Sequence, residues 1–180
     1  KYKKKIKFIL GDIRDYVSVY KAMKGCNSVM HLAALIGIPY SYISPTAYIK
    51  TNVEGTLNIL ESAKNLKVKQ IIVTSTSEVY GTAVSKKLSE NDELKAQSPY
   101  AASKIAADQL SLSYFRSFDL PVKIIRPFNT FGPRQSGRAV IPTIITQAIL
   151  KNKIKIGNLD AVRDFLYVED LCSAYEKIYK

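Results

Sequence analysis

Cysteine and histidine are both scarce in this sequence, and their scarcity argues against several kinds of site. The two cysteines, Cys26 and Cys172, lie far apart and form no Cys-x-x-Cys pair, which argues against a disulfide framework or a zinc site. His31 is the only histidine, which argues strongly against a Ser-His-Asp hydrolase and a multi-histidine metal centre. We therefore expect no bound metal, and we interpret His31 as a residue that ends a buried strand.

Long hydrophobic runs are also absent. No apolar run approaches the ~20 residues that a membrane-spanning helix requires. The basic start, Lys1-Tyr2-Lys3-Lys4-Lys5, is followed by Ile6-Lys7-Phe8-Ile9-Leu10, which is too short and too charged for the hydrophobic part of a signal peptide. The sequence thus predicts a cytoplasmic protein with no membrane contact, and its 180 residues are enough for a proper core.

Acidic residues are few relative to basic ones, and the formal net charge is +12. A strong positive balance raises the question of a nucleic-acid partner. The excess is lysine scattered along the chain, however, and no arginine-rich stripe with interleaved aromatic residues occurs. We therefore expect no nucleic-acid partner. A basic surface would also attract a phosphorylated small molecule.

Apolar runs of strand length alternate with longer helical patterns, which is typical of βαβ units and a parallel sheet. Buried strands are predicted at residues 5–10, 28–32, 69–74 and 121–126, with a shorter strand at 153–156. Helices are predicted at residues 15–23, 46–65, 98–117, 140–150 and 168–179, and irregular segments at 39–45 and 83–97. The ends of the four buried strands should meet at one edge of the sheet, where α/β proteins bind ligands.

Two stretches supply candidate acid/base groups. The first, Thr74-Ser75-Thr76-Ser77-Glu78-Val79-Tyr80-Gly81, places hydroxyls and a carboxylate where the strand at 69–74 ends. In the second, Tyr100-Ala101-Ala102-Ser103-Lys104, the tyrosine and the lysine are one helical turn apart and can face the same point. Ser98-Pro99 suits the start of that helix, because serine caps and proline fits the first position. Together the stretches predict an acid/base centre.

In this order, these stretches resemble the extended short-chain dehydrogenase/reductase family, which comprises NAD(P)-dependent epimerases, dehydratases and decarboxylases of nucleotide sugars. Other stretches resemble the same family: Gly11-Asp12, His31-Leu32-Ala33-Ala34, Asn52-Val53-Glu54-Gly55-Thr56, Arg126-Pro127-Phe128-Asn129 with Gly132-Pro133, and Arg163-Asp164-Phe165-Leu166-Tyr167-Val168-Glu169-Asp170. The resemblance spans nearly the whole chain. It implies an α/β fold with a Rossmann-like doubly wound parallel sheet, an NAD cofactor, a nucleotide-sugar substrate, and a homodimer that pairs the helices at 46–65 and 98–117.

Within the family, the sequence is most similar to sugar-nucleotide 4,6-dehydratases of the legionaminic-acid type. That similarity implies oxidation at carbon-4, loss of water across carbons 5 and 6, and hydride return to carbon-6 of a UDP- or GDP-N-acetylglucosamine. Glu78 discriminates, because family epimerases usually lack a carboxylate there. A nucleotide-sugar decarboxylase can carry a similar Thr-Ser-Glu run, so a decarboxylase or 4-epimerase stays open, as does a non-catalytic nucleotide-binding domain.

The resemblance also implies which residues form the site. The expected catalytic residues are Thr76, Ser77, Glu78, Tyr100 and Lys104. The expected cofactor-binding residues are Asp12, Ile13, Leu32, Ala33, Ala34, Asn52 and Ser75, again with Tyr100 and Lys104. The expected substrate-binding residues are Asn129, Arg134, Arg138, Ala139, Val140 and Arg163.

The proposed base needs activation, because a free phenol titrates near ~10. Lys104, together with the positive nicotinamide, is expected to stabilise the phenolate of Tyr100 and lower its pKa. Tyr100 would then take the proton from the hydroxyl on carbon-4. Glu78 would take the proton on carbon-5, and Ser77 could relay a proton to the departing water.

A glycine-rich turn, which normally holds the pyrophosphate of a dinucleotide, is missing. The sequence has 8 glycines and none forms a GxxGxxG pattern. The predicted strand at 5–10 is similar to the third strand of the family. We therefore expect an internal fragment that binds cofactor poorly, with 1–130 a truncated NAD-binding Rossmann domain carrying the catalytic residues. Residues 131–180 would begin a substrate-binding region and include a returning Rossmann segment.

Overall fold

The computed structural model describes residues 6–83, 87–151 and 153–180. The helices are α1 (Tyr16–Met23), α2 (Ile38–Ile43), α3 (Pro45–Tyr48), α4 (Gly55–Asn65), α5 (Pro99–Phe118), α6 (Val140–Leu150) and α7 (Val168–Tyr179). The strands are β1 (Ser28–His31), β2 (Gln70–Thr74), β3 (Val122–Ile125), β4 (Asn129–Phe131) and β5 (Phe165–Tyr167). The chain divides into two compact units, the first ending at Arg126 and the second spanning Pro127–Lys180.

The sheet of the first unit is parallel and has β2 between β1 and β3. Val73 is opposite His31 on one side and Ile124 on the other. The central position explains why β2 reads as an unbroken apolar run: Ile71, Ile72 and Val73 are each at most 1% exposed, as expected for a strand covered on both faces. The predicted strands at 28–32, 69–74 and 121–126 are confirmed.

Helices α1, α4 and α5 contribute to the core on one side of this sheet. Their apolar residues pack with those of β2 in one cluster, which includes Val19, Met23, Ile59, Leu60, Ala63, Ile71, Val73 and Tyr114. α5 begins as predicted: the Ser98 hydroxyl accepts the N–H of Ala101 at 3.0 Å, and Pro99 follows the cap. It ends at Asp119, which adopts a left-handed conformation with φ of 51°, as residues after helix ends often do.

The predicted helix at 46–65 is helical throughout, but its middle is unusual. A π-helical segment, Ile49–Glu54, lies between α3 and α4. Such wide turns are rare and often occur at functional sites. Asn52 lies in this segment and is 1% exposed, so the irregularity turns a polar side chain toward the interior.

Three sequence predictions about local structure were wrong. Ile6 to Leu10, the described part of the predicted strand at 5–10, is not a strand, and the side chain of Leu10 is exposed. In the described part of the chain β1 pairs only with β2, so this segment has no neighbouring strand with which to form a ladder. Among the described residues, three predicted strand ends therefore share an edge, rather than four.

The predicted loop at 39–45 is helical instead. Pro39 is the second residue of α2 and Pro45 is the first residue of α3, and proline is tolerated in the first turn of a helix. No strand forms at 153–156. Residues 84–86 of the predicted irregular segment lie outside the described residues, and the rest of 83–97 is irregular as predicted.

The second unit contains β4 and β5, which pair in parallel, and the helices α6 and α7. Neither strand was predicted, because each has only three residues. The ring of Phe131 packs against those of Phe165 and Tyr167 at centroid distances of 6.4 and 5.5 Å. Across both units, none of the described helices is long and apolar enough to cross a membrane.

Candidate active site

The end of β2 holds a series of polar groups in fixed positions. The carbonyl of Thr74 accepts a hydrogen bond from Nζ of Lys104 at 2.7 Å, and the N–H of Ser75 donates to the carbonyl of Ile125 at 2.7 Å. Thr76 then caps a short 3₁₀ turn, Ser77–Tyr80, by accepting the N–H of Glu78 at 3.2 Å. The predicted catalytic residues Thr76, Ser77 and Glu78 thus lie in one capped turn directly after the central strand.

Gly81 lets the chain leave this turn. Its φ of 68° lies in the left-handed region, and a Cβ there would come within 2.4 Å of the carbonyl oxygen of Lys95. The N–H of Lys95 donates to the carbonyl of Val79 at 2.8 Å. The backbone of Lys95 therefore restrains the turn, and its close approach requires a glycine at position 81.

Helix α5 presents Tyr100, Lys104 and Asp108 at steps of four residues, which places them on one face. They are 6%, 3% and 0% exposed, respectively. The ring of Tyr100 packs edge-on against the buried ring of Tyr48, with centroids 6.2 Å apart. This face of α5 therefore delivers three ionisable side chains to the end of β2.

The surroundings of Tyr100 shift its pKa upward. Burial is the largest cause, a hydrogen bond with Thr76 opposes it, and the negative charge of Glu78 adds to the rise. The pKa of Tyr100 is thus raised rather than lowered as expected, because burial outweighs the hydrogen bond with Thr76. The three interacting groups, Thr76, Glu78 and Tyr100, belong to the predicted set of five catalytic residues.

A buried ion pair lies behind this cluster. Nε of Arg126 donates to Oδ2 of Asp108 at 3.0 Å, and Nη1 donates to the hydroxyl of Tyr80 at 2.8 Å. The guanidinium also lies 5.2 Å from the centre of the Tyr80 ring. Sequence reasoning assigned no role to these three residues, although the spacing of Tyr100, Lys104 and Asp108 signals a shared helix face.

Charges in this region influence one another. Burial raises the pKa of the Asp108 carboxyl, while Arg126 and Lys104 oppose the rise. Burial lowers the pKa of Lys104, and the carboxylate of Asp108 opposes that change. Ser75 is close enough to lower the pKa of Asp108, yet its geometry there does not complete a hydrogen bond, and Oγ of Ser75 and Oδ1 of Asp108 are both buried without a partner.

Asn52, predicted to bind cofactor, makes three hydrogen bonds within the protein. Its side chain accepts the N–H of Leu35 at 2.8 Å and donates to the carbonyl of Leu35 at 2.9 Å. It also donates to Oγ of Ser103 at 2.9 Å, and that hydroxyl donates to the carbonyl of Tyr100. Asn52 therefore ties the loop after β1 to the first turns of α5.

The other predicted cofactor residues lie on two loops of the first unit. Leu32, Ala33 and Ala34 follow β1, the first two exposed and the third half-buried. Asp12 and Ile13 precede α1. Arg14 bonds to the carboxylate of Asp12 and lowers its pKa to about 2. No contact among the described residues tests their cofactor role.

The sole histidine has a structural position, as the sequence predicts. His31 ends β1 and is 5% exposed, with Nε2 3.0 Å from Oγ1 of Thr56. Burial lowers its pKa to about 4. Cys26 and Cys172 are both exposed free thiols, and the described residues contain no group of three or more potential ligands that could hold a metal.

The predicted substrate residues all belong to the second unit. Asn129 begins β4, Ala139 precedes α6 and Val140 is its first residue. The predicted phosphate-binding arginines are exposed: Arg134, Arg138 and Arg163. Their roles stay predictions.

Comparison with known proteins supports the family resemblance noted in the sequence. The family described as GDP-mannose 4,6 dehydratase matches this chain over residues 1–180. A dTDP-glucose 4,6-dehydratase from Streptomyces antibioticus is 34% identical over 168 residues, which cover 93% of this chain and 50% of that protein. The chain spans about half the length of the curated relatives it matches.

Solved structures share the fold. A double mutant of DesIV, a dTDP-glucose 4,6-dehydratase from Streptomyces venezuelae with NAD bound, matches with a TM-score of 0.89 at 31% identity, over 95% of this chain and 53% of that one. The UDP-N-acetylglucosamine 4-epimerase from Methanobrevibacter ruminantium matches with a TM-score of 0.86 at 33% identity, over 92% of this chain and 55% of that one. The predicted Rossmann-like α/β fold with a parallel sheet is confirmed.

Proposed function

We propose that this chain, which belongs to the GDP-mannose 4,6-dehydratase family of extended short-chain dehydrogenases/reductases, supplies the acid/base residues of an NAD-dependent nucleotide-sugar 4,6-dehydratase. The observation that carries the proposal is the cluster of Thr76, Glu78 and Tyr100 beside the buried Lys104. Such an elimination requires two bases: a tyrosine that exchanges a proton with the sugar hydroxyl, and a separate carboxylate.

NAD would be held on its nicotinamide side by Ser75, Tyr100 and Lys104. Two observations support this fit: Oγ of Ser75 is buried without a hydrogen-bond partner, and the Lys104 ammonium has three N–H donors, of which the carbonyl of Thr74 accepts one. When bound, NAD would accept hydride from the sugar and return it. We propose that the remaining cofactor-binding residues are Asp12, Ile13, Leu32, Ala33, Ala34 and Asn52.

In the proposed first step, Tyr100 takes the proton of the hydroxyl on carbon-4 as hydride leaves that carbon. Burial raises the pKa of Tyr100 and so works against the phenolate, while the hydrogen bond with Thr76 favours it. The positive charge of Lys104, one turn along α5, would favour the phenolate further. Thr76 could also hydrogen-bond the sugar hydroxyl and orient it toward Tyr100.

In the proposed second step, Glu78 takes the proton on carbon-5, which the new ketone at carbon-4 has made acidic. Ser77 relays that proton from Glu78 to the hydroxyl on carbon-6, which leaves as water. Hydride returns to carbon-6, a proton from solvent adds to carbon-5 and Tyr100 releases its proton to solvent, which completes a 4-keto-6-deoxy sugar. Glu78 and Ser77 are both half-buried in the turn after β2, which leaves them accessible to a bound sugar.

We further propose that the substrate is a UDP- or GDP-N-acetylglucosamine. The second unit would bind it through Asn129, Arg134, Arg138, Ala139, Val140 and Arg163. Its three arginines are exposed, and guanidinium groups bind phosphate oxygens in pairs of hydrogen bonds. A homodimer that pairs the helices at 46–65 and 98–117 belongs to the proposal by family analogy, and a monomer in light scattering would contradict it.

The direct test incubates the whole protein and NAD with UDP-N-acetylglucosamine, GDP-N-acetylglucosamine, UDP-glucose and dTDP-glucose, and follows the products by mass spectrometry. We expect loss of one water without net release of NADH, fastest with an N-acetylglucosamine nucleotide. Preference for a glucose nucleotide would refute the sugar but keep the reaction. An isomer without water loss would replace the dehydratase by a 4-epimerase, and carbon dioxide from a uronic-acid nucleotide would replace it by a decarboxylase.

The role of Glu78 has its own test. Glu78→Gln should slow elimination by on the order of 100-fold or more, because an amide cannot accept the proton on carbon-5. Hydride transfer from carbon-4, followed as transient NADH absorbance, should be largely retained. Glu90→Gln is a matched control, since Glu90 is exposed, and it should leave both steps unchanged. Equal loss of both steps in Glu78→Gln would remove the assigned role.

A further inference from the structure

Arg126 connects two parts of the first unit that carry different halves of the proposed chemistry. Its Nε holds Asp108 on α5, and its Nη1 holds the hydroxyl of Tyr80, at 3.0 and 2.8 Å. Asp108 follows Lys104 by one helical turn, and Tyr80 is the last residue of the turn that carries Glu78. One guanidinium thus spans from the helix of the proposed first base to the turn of the proposed second base.

The connection is largely buried, and both of its hydrogen bonds come from a charged group. The side chain of Asp108 is fully buried, and that of Arg126 is 17% exposed. Hydrogen bonds from a charged donor are shorter and stronger than neutral ones, and the fixed fork of a guanidinium can hold two acceptors in a set geometry. Tyr80 is 6% exposed and its ring also faces the guanidinium, so both of its contacts with Arg126 restrain the turn.

We propose that Arg126 is a positioning residue, which fixes the Glu78 turn relative to α5 through Tyr80 on one side and Asp108 on the other. The inference rests on the proposed function for its catalytic consequence, but its structural part stands on the contacts alone. Glu78 must reach carbon-5 while Tyr100 holds the hydroxyl of carbon-4, so the spacing of the two bases matters. A shift of about 1 Å in such an arrangement can cost a large part of the rate.

Some of the backbone hydrogen bonds that hold this turn are long. Two of them, from the N–H of Val79 to the carbonyl of Thr76 and from the N–H of Gly81 to the carbonyl of Glu78, are 3.4 and 3.3 Å long, and the Thr76 cap accepts the N–H of Glu78 at 3.2 Å. The contact between Lys95 and the carbonyl of Val79 holds one point only. The hydroxyl of Tyr80 supplies a second point, and Arg126 is the charged group that holds it.

The experiment compares Tyr80→Phe, Arg126→Lys and the double variant in the whole protein. Tyr80→Phe keeps the ring and removes only the hydroxyl, and Arg126→Lys keeps the charge beside Asp108 but cannot span both partners. Each single variant should slow proton loss from carbon-5, followed as deuterium uptake from D₂O, by about tenfold. The hydride step should stay within about twofold, since α5 is unmoved.

The double variant should be no slower than the slower single variant by more than about twofold, because both changes break one connection. Tyr114→Phe is the matched control, because it likewise removes one buried tyrosine hydroxyl that is hydrogen-bonded to a charged side chain, here the carboxylate of Glu61 far along α5. It should leave both chemical steps unchanged. Multiplicative effects in the double variant, or equal slowing of both steps, would overturn the positioning role.

A second readout does not depend on activity. Hydrogen exchange at the amides of Val79 and Gly81 should accelerate by about tenfold in Tyr80→Phe and Arg126→Lys, while amides in the middle of α5 keep their rates. Unchanged exchange at both turn amides would refute the proposal even if catalysis falls. If the parent protein forms no 4-keto-6-deoxy sugar, the proposed function fails, and the exchange result still decides whether Arg126 positions the turn.

Discussion

Two networks, one that includes Asp108 in the middle of α5 and one that includes Tyr114 near its end, contain the same three kinds of group in different surroundings. At the site end, Asp108 pairs with Arg126, which also holds the hydroxyl of Tyr80. The carboxylate there is fully buried and its cation is 17% exposed. A carboxylate, a cation and a tyrosine hydroxyl thus form a network that water barely reaches.

At the far end, Tyr114 donates its hydroxyl to Glu61 on α4, which also accepts Nζ of Lys64 at 2.6 Å. Lys64 lies 4.6 Å from the centre of the Phe118 ring, as Arg126 lies over Tyr80 at the other end. Here the side chains of Lys64 and Glu61 are 30% and 32% exposed. The composition is the same, but water solvates both charges.

The surroundings alone reverse the electrostatics. Burial raises the pKa of Asp108 despite its cationic neighbours, whereas the hydrogen bonds from Lys64 and Tyr114 lower the pKa of Glu61. A buried carboxylate gives up hydration that its partner only partly replaces. The buried network of Asp108, Arg126 and Tyr80 therefore holds elements in place. The exposed network of Glu61, Lys64 and Tyr114 adds a modest contact that solvent screens.

The largest expected effect is on the free energy of unfolding. Asp108→Ala leaves the Arg126 guanidinium largely buried without its carboxylate, so we expect a loss of about 3–5 kcal/mol. Glu61→Ala leaves Lys64 free to turn into water, and we expect a loss of about 1 kcal/mol or less. Urea unfolding of both variants and the parent measures the difference. Similar losses in the two variants would mean that burial does not separate the two networks.

A smaller effect concerns the direction of the pH dependence. The folded pKa of Asp108 is raised above its ordinary value of 3.8, so its contribution to stability is present below that value and is lost as pH rises through the folded pKa. The folded pKa of Glu61 is lowered below 4.5, so its contribution is present above that value and is lost as pH falls through the folded pKa.

Between about pH 7 and about pH 3, the cost of Asp108→Asn should therefore grow on acidification, while the cost of Glu61→Gln should shrink once the pH falls below 4.5. Unfolding free energies of each variant and the parent, measured at the same pH values, give the two slopes. Slopes of the same sign would show that Arg126 and Lys104 outweigh the burial of Asp108.

Sequence reasoning was most successful where local chemistry decides the structure. The bounds of α6 and α7, the Ser98 cap of α5 and the apolar strand β2 were all predicted. The stretch after β2 and the start of α5 were expected to form one acid/base centre, and the family resemblance implied roles for Thr76 and Tyr100 within it.

Sequence reasoning failed where the outcome depends on which groups meet in space. The segment at 6–10 has the composition of a strand but no strand beside it. The contacts of Arg126 with Tyr80 and Asp108 join residues 46 and 18 positions apart, and no local pattern marks such a pair. The upward shift in the pKa of Tyr100 also depends on burial, which spacing does not reveal.

The smallest expected effect is on how the cost of a substitution changes with salt concentration, which tests how far solvent reaches each network. Lys64→Met should cost about 0.5 kcal/mol, and at ~1 M NaCl that cost should fall by about half or more, because salt screens exposed charges. The cost of Arg126→Met should change much less, since its partner Asp108 is beyond the reach of counterions. Urea unfolding at low and high salt measures both. Equal sensitivity would mean that water reaches the Asp108 pair, in which case Arg126 could not hold the Glu78 turn as firmly as its contacts indicate.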